Sequence, residues 1–303
     1  MYVHPGNHIG DTWYFIENNK IHMFYLTCPE NIERHTAWAI AHAVSSDFVH
    51  WEQAGIVLER GNPESYDGRC PATGSILYFD NRYWMAYTGN WNGPIPTVAI
   101  AVSGDLYKWE KISENPVTKI DGKYYADRVF PGDRDWLHWR DPFLFSENKK
   151  AFHYVCTKKK DGLGTLGYAE STDMRHWKVL PPPEVDPVTA ELECPQVYHW
   201  KNQFYLVFSS CTNFFTNEIK AKYAYPKNRW TCFSMIGDSL HGPFKMMGDG
   251  IVIPNNYPIQ PYACQVVFWQ KKPYLMGTMW NDKQDSVTDP IPLRFTDDGV
   301  KVL

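Results

Sequence analysis

The stretch DPFLFSENKKAFHYVCT, residues 141–157, is an apolar strand, a Glu-Asn-Lys turn and a second strand rich in aromatic residues. Pro142 lacks the N–H that a sheet ladder needs, so it belongs at the first residue of a strand or on an edge. Asp141 therefore sits at the strand's mouth. The same design recurs four times: TWYFIENNKIHMFYLT from Thr12, GSILYFDNRYWMAYTG from Gly74, PQVYHWKNQFYLVFSS from Pro195 and CQVVFWQKKPYLMGTMW from Cys264. Short apolar runs of this kind, bounded by turn residues, read as β-hairpins. Their repetition along the chain marks a repeat architecture.

A second element follows the first three hairpins. SSDFVHW ends at Trp51, SGDLYKW at Trp109 and STDMRHW at Trp177, and IGDSLHGPF, ending at Phe244, is a degraded fourth copy. The hydroxyl and carboxylate of such a turn tie its backbone N–H groups, and the indole is expected to pack between neighbouring units. Each unit holds about four strands, with IPLRFTDDGVKVL completing the fifth. Four-stranded units arranged radially make a propeller. The expected fold class is all-β, a five-bladed β-propeller forming a single domain over residues 1–303, with under about a tenth of its residues helical.

Composition narrows the function classes. Hydrophobic residues make up 44% and charged residues 21%, as in a globular chain. The net charge of −4 and the lack of a basic block give nucleic acid no electrostatic footing. No apolar run approaches the roughly 18 residues of a membrane span, so no membrane partner is expected. MYVHPGNHIGDTWYF lacks the basic start and apolar block of a signal peptide. Seven scattered cysteines, never spaced C-x-x-C, point to reduced thiols and a cytoplasmic location. A mature secreted chain whose signal has been removed reads the same at this level.

In a propeller the first strand of each blade lines the axis. Reading one position through the repeats gives Asp11, Thr73, Asp141, Glu193 and, in the fifth, a place near Tyr262. Three of five axial positions are acidic. Clustered carboxylates raise one another's pKa, so such a cluster is costly unless used. Glycosidic cleavage uses two facing carboxyl groups, one donating a proton to the leaving oxygen and the other attacking or activating water. A Ca²⁺ or Mg²⁺ site is the lesser reading, since no D-x-D-x-D loop is present. No metal or cofactor is expected. The aromatic content of 16% could be core, but flat amphipathic rings also line sites that stack on sugar faces; with the acidic cluster, an oligo- or polysaccharide is the expected partner.

Several blocks then resemble, in order and over nearly the full length, the five-bladed catalytic domain of glycoside hydrolase family 32, the β-fructofuranosidases. GDTWYFIENNKIHMFYLTCPE stands in the place of that family's Asn-Asp-Pro-Asn-Gly block. WAIAHAVSSDFVHWEQAGIVL is similar to its Gly-His-Ala-x-Ser-x-Asp-x-x-x-Trp run, and SYDGRCPATGSILYFDNRYWMAYTG to its second-blade strand. WRDPFLF matches its Arg-Asp-Pro motif, LECPQVY its Glu-Cys-Pro motif and YACQVVFWQKKPYLMGTMW its Tyr-Ala-x-Gln strand. The resemblance implies Asp11 as nucleophile, Glu193 as general acid/base and Asp141 as transition-state stabiliser with Arg140 held nearby. Two departures stand out. The first block reads His-Ile-Gly-Asp-Thr-Trp, and no C-terminal β-sandwich is expected after the fifth repeat. The same fold and acidic triad also serve family 43, so an inverting arabinofuranosidase or xylosidase is the second enzyme reading. A carbohydrate-binding propeller without catalysis is the non-enzyme one.

Further sugar contacts are expected from Arg140, His8, Asp67, Arg69, Trp91, Asn92 and Tyr262. His4 and Asn7 precede Asp11, and a structural role is an equal reading for the histidines. Glu191 shares an extended strand's face with Glu193 and is a lesser rival for the acid role. The irregular DRVFPGDRDWLHW, residues 127–139, is expected to wall the cavity.

Overall fold

The computed structural model describes residues 1–91, 93, 95–131, 136–281 and 283–303. Each hairpin is closed by a pair with left-handed backbone: Asn18–Asn19, Asp80–Asn81, Asn148–Lys149 and Gln270–Lys271 all have positive φ, as does Lys201 in the remaining hairpin. A two-residue turn with positive φ matches the right-handed twist of the strands it joins, and Asn and Asp accept that conformation most readily.

The first blade consists of β1 (Asn7–Glu17), β2 (Lys20–Pro29), β3 (Ala39–Ser45) and β4 (Trp51–Leu58), hydrogen-bonded in that order. The second is β5 (Pro71–Phe79), β6 (Arg82–Gly89), β7 (Thr97–Ser103) and β8 (Glu110–Lys111), with β9 (Thr118–Lys119) also on β7. The third is β10 (Arg140–Glu147), β11 (Lys150–Lys158), β12 (Gly164–Ser171) and β13 (Trp177–Leu180). The fourth is β14 (Glu193–Trp200), β15 (Gln203–Cys211), β16 (Trp230–Gly237) and β17 (Phe244–Lys245). The fifth is β18 (Tyr262–Trp269), β19 (Lys272–Met279), β21 (Ile291–Thr296) and β22 (Gly299–Val302), with β20 (Ser286–Val287) also on β19. The innermost strands β1, β5, β10, β14 and β18 touch in sequence, and β18 returns to β1, closing a five-bladed β-propeller. Among the described residues, the helices are α1 (Asn217–Lys222) and the 3₁₀ turn Thr212–Phe214. None is long and apolar enough to cross a membrane.

The core is five wedges, one at each blade boundary, because each sheet buries a face against each neighbour. Trp13 and Phe24 meet Met85 and Tyr87 between blades 1 and 2, and Ile21 and Met23 meet Val267 and Met276 between blades 1 and 5. The repeated Ser-x-Asp turns act as read from sequence. Ser45 Oγ accepts from the N–H groups of Asp47 and Phe48, Asp47 Oδ1 accepts from Val49 and His50, and the Trp51 indole donates to Phe48 O. Trp109 joins the wedge between blades 1 and 2, and Phe244 that between blades 3 and 4. The rings are the mortar between blades.

All seven cysteines are buried thiols outside any disulfide. Burial pushes the thiols of Cys28 and Cys70 up to about 11. Thiol titration of the denatured, unreduced protein should return all seven groups, with slow reaction in the native state. Fewer than about five groups on denaturation would contradict this.

Candidate active site

Every innermost strand is broken at the same level by an extra residue. The ladder skips between Ile9 and Thr12, Ala72 and Gly74, Arg140 and Phe143, Glu193 and Gln196, and Tyr262 and Gln265. A β-bulge leaves a residue unpaired and re-aims its neighbours. In blades 3, 4 and 5 its first residue has left-handed backbone: Asp141 (φ 62), Cys194 (φ 48) and Ala263 (φ 50). Such non-glycine strain persists only where the surroundings over-determine it.

These bulges correct the position-by-position reading. The inward side chains are not equivalent. Glu193 and Tyr262 are the last paired residues before their bulges, Asp141 is the first residue within its own, and Asp11 and Thr73 come last before pairing resumes. Strict alternation would turn a one-residue offset to the opposite face. The bulges absorb it, and all five side chains reach one cavity of about 390 Å³ on the axis.

At its floor Asp11 accepts through Oδ2 from the Thr73 hydroxyl and, at 3.8 Å, from the Cys194 thiol. Burial, and next the charge of Asp141, push the Asp11 carboxyl up to about 7; the Thr73 bond opposes this. Asp141 Oδ2 accepts from the Cys194 N–H at 3.1 Å. Glu193 Oε1 accepts from Arg140 Nη2 at 2.6 Å, and its Oε2 accepts from the Tyr262 hydroxyl. Burial, with Glu193 nearby, holds the Tyr262 phenol well above its usual range, so it stays a donor. Asp11, Asp141 and Cys194 bring ligand atoms within 4.8 Å of one another. Burial and the adjacent carboxylates hold that thiol well above its usual range.

Arg140 keeps the expected ion pair with Asp141 and adds two shorter ones. Its Nη2 lies 2.6 Å from both Glu191 and Glu193, while Nε stands 3.6 Å from Asp141. Glu191 and Glu193 share a face of their extended segment, so one guanidinium nitrogen reaches both. Glu191 is buried behind the cavity and is not among its lining residues.

Five tryptophans line the walls: Trp38, Trp91, Trp136, Trp230 and Trp280. Trp91 meets Trp136 edge-on at 5.1 Å, and Tyr262 lies 5.1 Å from Trp280. Trp91 and Tyr262 were read from sequence, and Trp136 belongs to the insertion expected to wall the cavity. Trp38, Trp230, Trp280 and His35 carry no motif that marks them in the sequence. Antiparallel order carries the available signal. Innermost strands run away from the cavity, so second strands end beside it, and these residues sit where second strands end or third strands begin.

Other sequence expectations lie elsewhere. His8 turns to Asp285, with Nδ1 at 3.1 Å from Oδ2, and is not among the lining residues. Asp67 is buried in blade 2, accepting from the Tyr87 hydroxyl at 3.0 Å and Lys111 Nζ at 2.5 Å, so its carboxylate is committed within the fold. Arg69 is exposed outside the lining, its backbone N–H donating to Asn90 Oδ1. Asn92 lies outside the described residues.

A sucrose-6-phosphate hydrolase of Lactococcus lactis subsp. lactis is 27% identical over 203 residues, covering 63% of this chain and 39% of that protein. An invertase of Schizosaccharomyces pombe is 29% identical over 176 residues, covering 52% and 27%. The chain thus spans two-fifths or less of the length of these relatives. Bacillus subtilis levansucrase superposes with a TM-score of 0.75 at 18% identity, over 99% of this chain and 86% of that one, which shows the shared fold. Residues 10–297 match the N-terminal domain of glycosyl hydrolases family 32, and with that span covering all five blades and the acidic floor, the chain belongs to this family.

Proposed function

We propose that the chain hydrolyses the glycosidic bond of a β-fructofuranoside with retention of configuration. The observation that carries this reading is the floor of the cavity, where three carboxylates are held by three different sets of donors. Both donors to Asp11 reach Oδ2, leaving Oδ1 as the attacking oxygen. Glu193 donates its proton to the leaving oxygen as Asp11 Oδ1 bonds to the anomeric carbon. Water then attacks that carbon, Glu193 takes the water's proton, and the Asp11 carboxylate is released. Asp141, fixed by the Cys194 N–H, accepts from sugar hydroxyls as charge develops on the ring. Tyr262 and Arg140 orient Glu193, and the tryptophan walls stack on the sugar. Family membership and relatives named sucrose-6-phosphate hydrolase and invertase support a sucrose-like substrate.

Sucrose, inulin and aryl β-fructoside, arabinofuranoside and xyloside substrates form the test panel. Fructose release with little action on the other two aryl glycosides is expected; preferential cleavage of arabinofuranoside or xyloside overturns the substrate assignment. NMR of the first-formed anomer should show retained configuration. Inverted product would remove Asp11 as nucleophile and make it a base acting through water, which needs a wider carboxyl gap of about 6.5–9.5 Å.

A further inference from the structure

The seam where blade 5 meets blade 1 holds the segment that delivers Asp11. An innermost strand has no ladder partner on its axial edge, so its polar groups there need partners from elsewhere. Around Ile9 and Gly10 those partners come from blade 5. Ile9 N–H donates to Asp285 Oδ2 at 3.2 Å, and Ile9 O accepts from the Trp280 indole at 2.9 Å. Gly10 O accepts from the Thr278 hydroxyl at 2.7 Å. Both peptide units before Asp11 are therefore fixed across the seam.

Asp285 is itself over-determined. It is 1% exposed, and Arg34 grips it in bidentate fashion, Nη2 to Oδ1 at 2.7 Å and Nε to Oδ2 at 3.1 Å. Oδ1 also accepts from the Asn281 N–H at 3.2 Å, and His8 Nδ1 lies 3.1 Å from Oδ2. A planar fork on a carboxylate adds geometric precision as well as energy. Arg34 sits in the loop between β2 and β3, so blade 1 holds the carboxylate that holds its own first strand.

We propose that Asp285 and Thr278 are positioning residues for Asp11, making closure of the propeller ring a condition of turnover. This rests on Asp11 acting as nucleophile, as read above. The two residues touch Asp11's own backbone segment and do not line the cavity. Losing them shifts Asp11 along the attack trajectory without removing a sugar contact. Misplacement of a reacting group by about 1 Å can cost on the order of 10²-fold.

The test measures kcat, KM and melting temperature for Asp285→Asn, Thr278→Val and Val287→Ala, on whichever panel substrate the wild-type enzyme cleaves. Val287 is buried at the same seam, in the apolar cluster that also holds Ile9, and its backbone pairs with Tyr2 and Thr278, so Val287→Ala loosens seam packing while leaving the hydrogen bonds to residues 9 and 10 in place. Asp285→Asn should lower kcat about 10–100-fold and Thr278→Val about tenfold, each with KM within about threefold. Val287→Ala should keep kcat despite a lower melting temperature. Unchanged kcat in Asp285→Asn and Thr278→Val overturns the proposal, as does kcat falling in step with melting temperature in all three. If Asp285→Asn does not fold, the isosteric Thr278→Val decides alone. A wild-type chain inactive on the whole panel sinks the functional reading and this inference with it; an active wild type with unaffected variants sinks the inference only.

Discussion

Asparagine at position 11 is expected to stop turnover and stabilise the fold at the same time. Loss of a nucleophile costs on the order of 10⁴–10⁶-fold in kcat. The stability gain follows from the same environment. Burial and the charge of Asp141 raise the Asp11 carboxyl to about 7, so between about pH 4 and 7 the folded chain keeps a proton that the unfolded chain has released. Stability falls as pH rises through that window and levels off above it. At about 1.4 kcal/mol per unit, ionised Asp11 costs the fold up to about 4 kcal/mol. Asp11→Asn removes that cost, and its amide oxygen still accepts from Thr73. Its melting temperature should exceed the wild type's most at pH 8, with the difference fading toward pH 4. Equal differences at both pH values would exclude ionisation of Asp11 as the source, and substantial residual turnover would remove it as nucleophile.

Alanine at Glu193 should separate substrates by leaving group. A general acid contributes about 10²–10⁴-fold, most where the departing oxygen is a poor leaving group. Sucrose and inulin should lose that factor, and an activated aryl β-fructoside much less. Azide should restore part of the aryl activity if a glycosyl-enzyme forms, because a small anion can enter the space left by the side chain. The fold should tolerate the change, since Arg140 keeps Glu191 at 2.6 Å. Equal losses on both substrate types would assign Glu193 to binding and withdraw its role as acid.

The five hairpins, their Asn and Lys turns and the Ser-x-Asp…Trp elements are local features, and local spacing carried them from sequence to structure. Asp11, Asp141 and Glu193 were legible for a related reason: a repeat places one strand per blade on the axis, so sequence distance becomes proximity. Their relative aim was not legible. It depends on bulges, where pairing to the second strand decides which residue is left over, and on left-handed backbone at Cys194 and Ala263, residue types that do not announce it. Asp67 and His8 illustrate the limit from the other side. A carboxylate or imidazole near a site reads the same whether it faces sugar or protein, and Lys111 and Asp285 decided the matter here.

By itself, then, the sequence determined the blade count, the strand order and the identity of the acidic floor, because periodicity, turn chemistry and repetition are written within a few dozen residues. Only the tertiary structure decided that Arg140 clamps Glu191 and Glu193 together, that tryptophans from separate loops form one wall, and that Asp285 holds Ile9. The last pair stands 276 residues apart. The two meet because the ring closes, and closure is a property of all five blades at once.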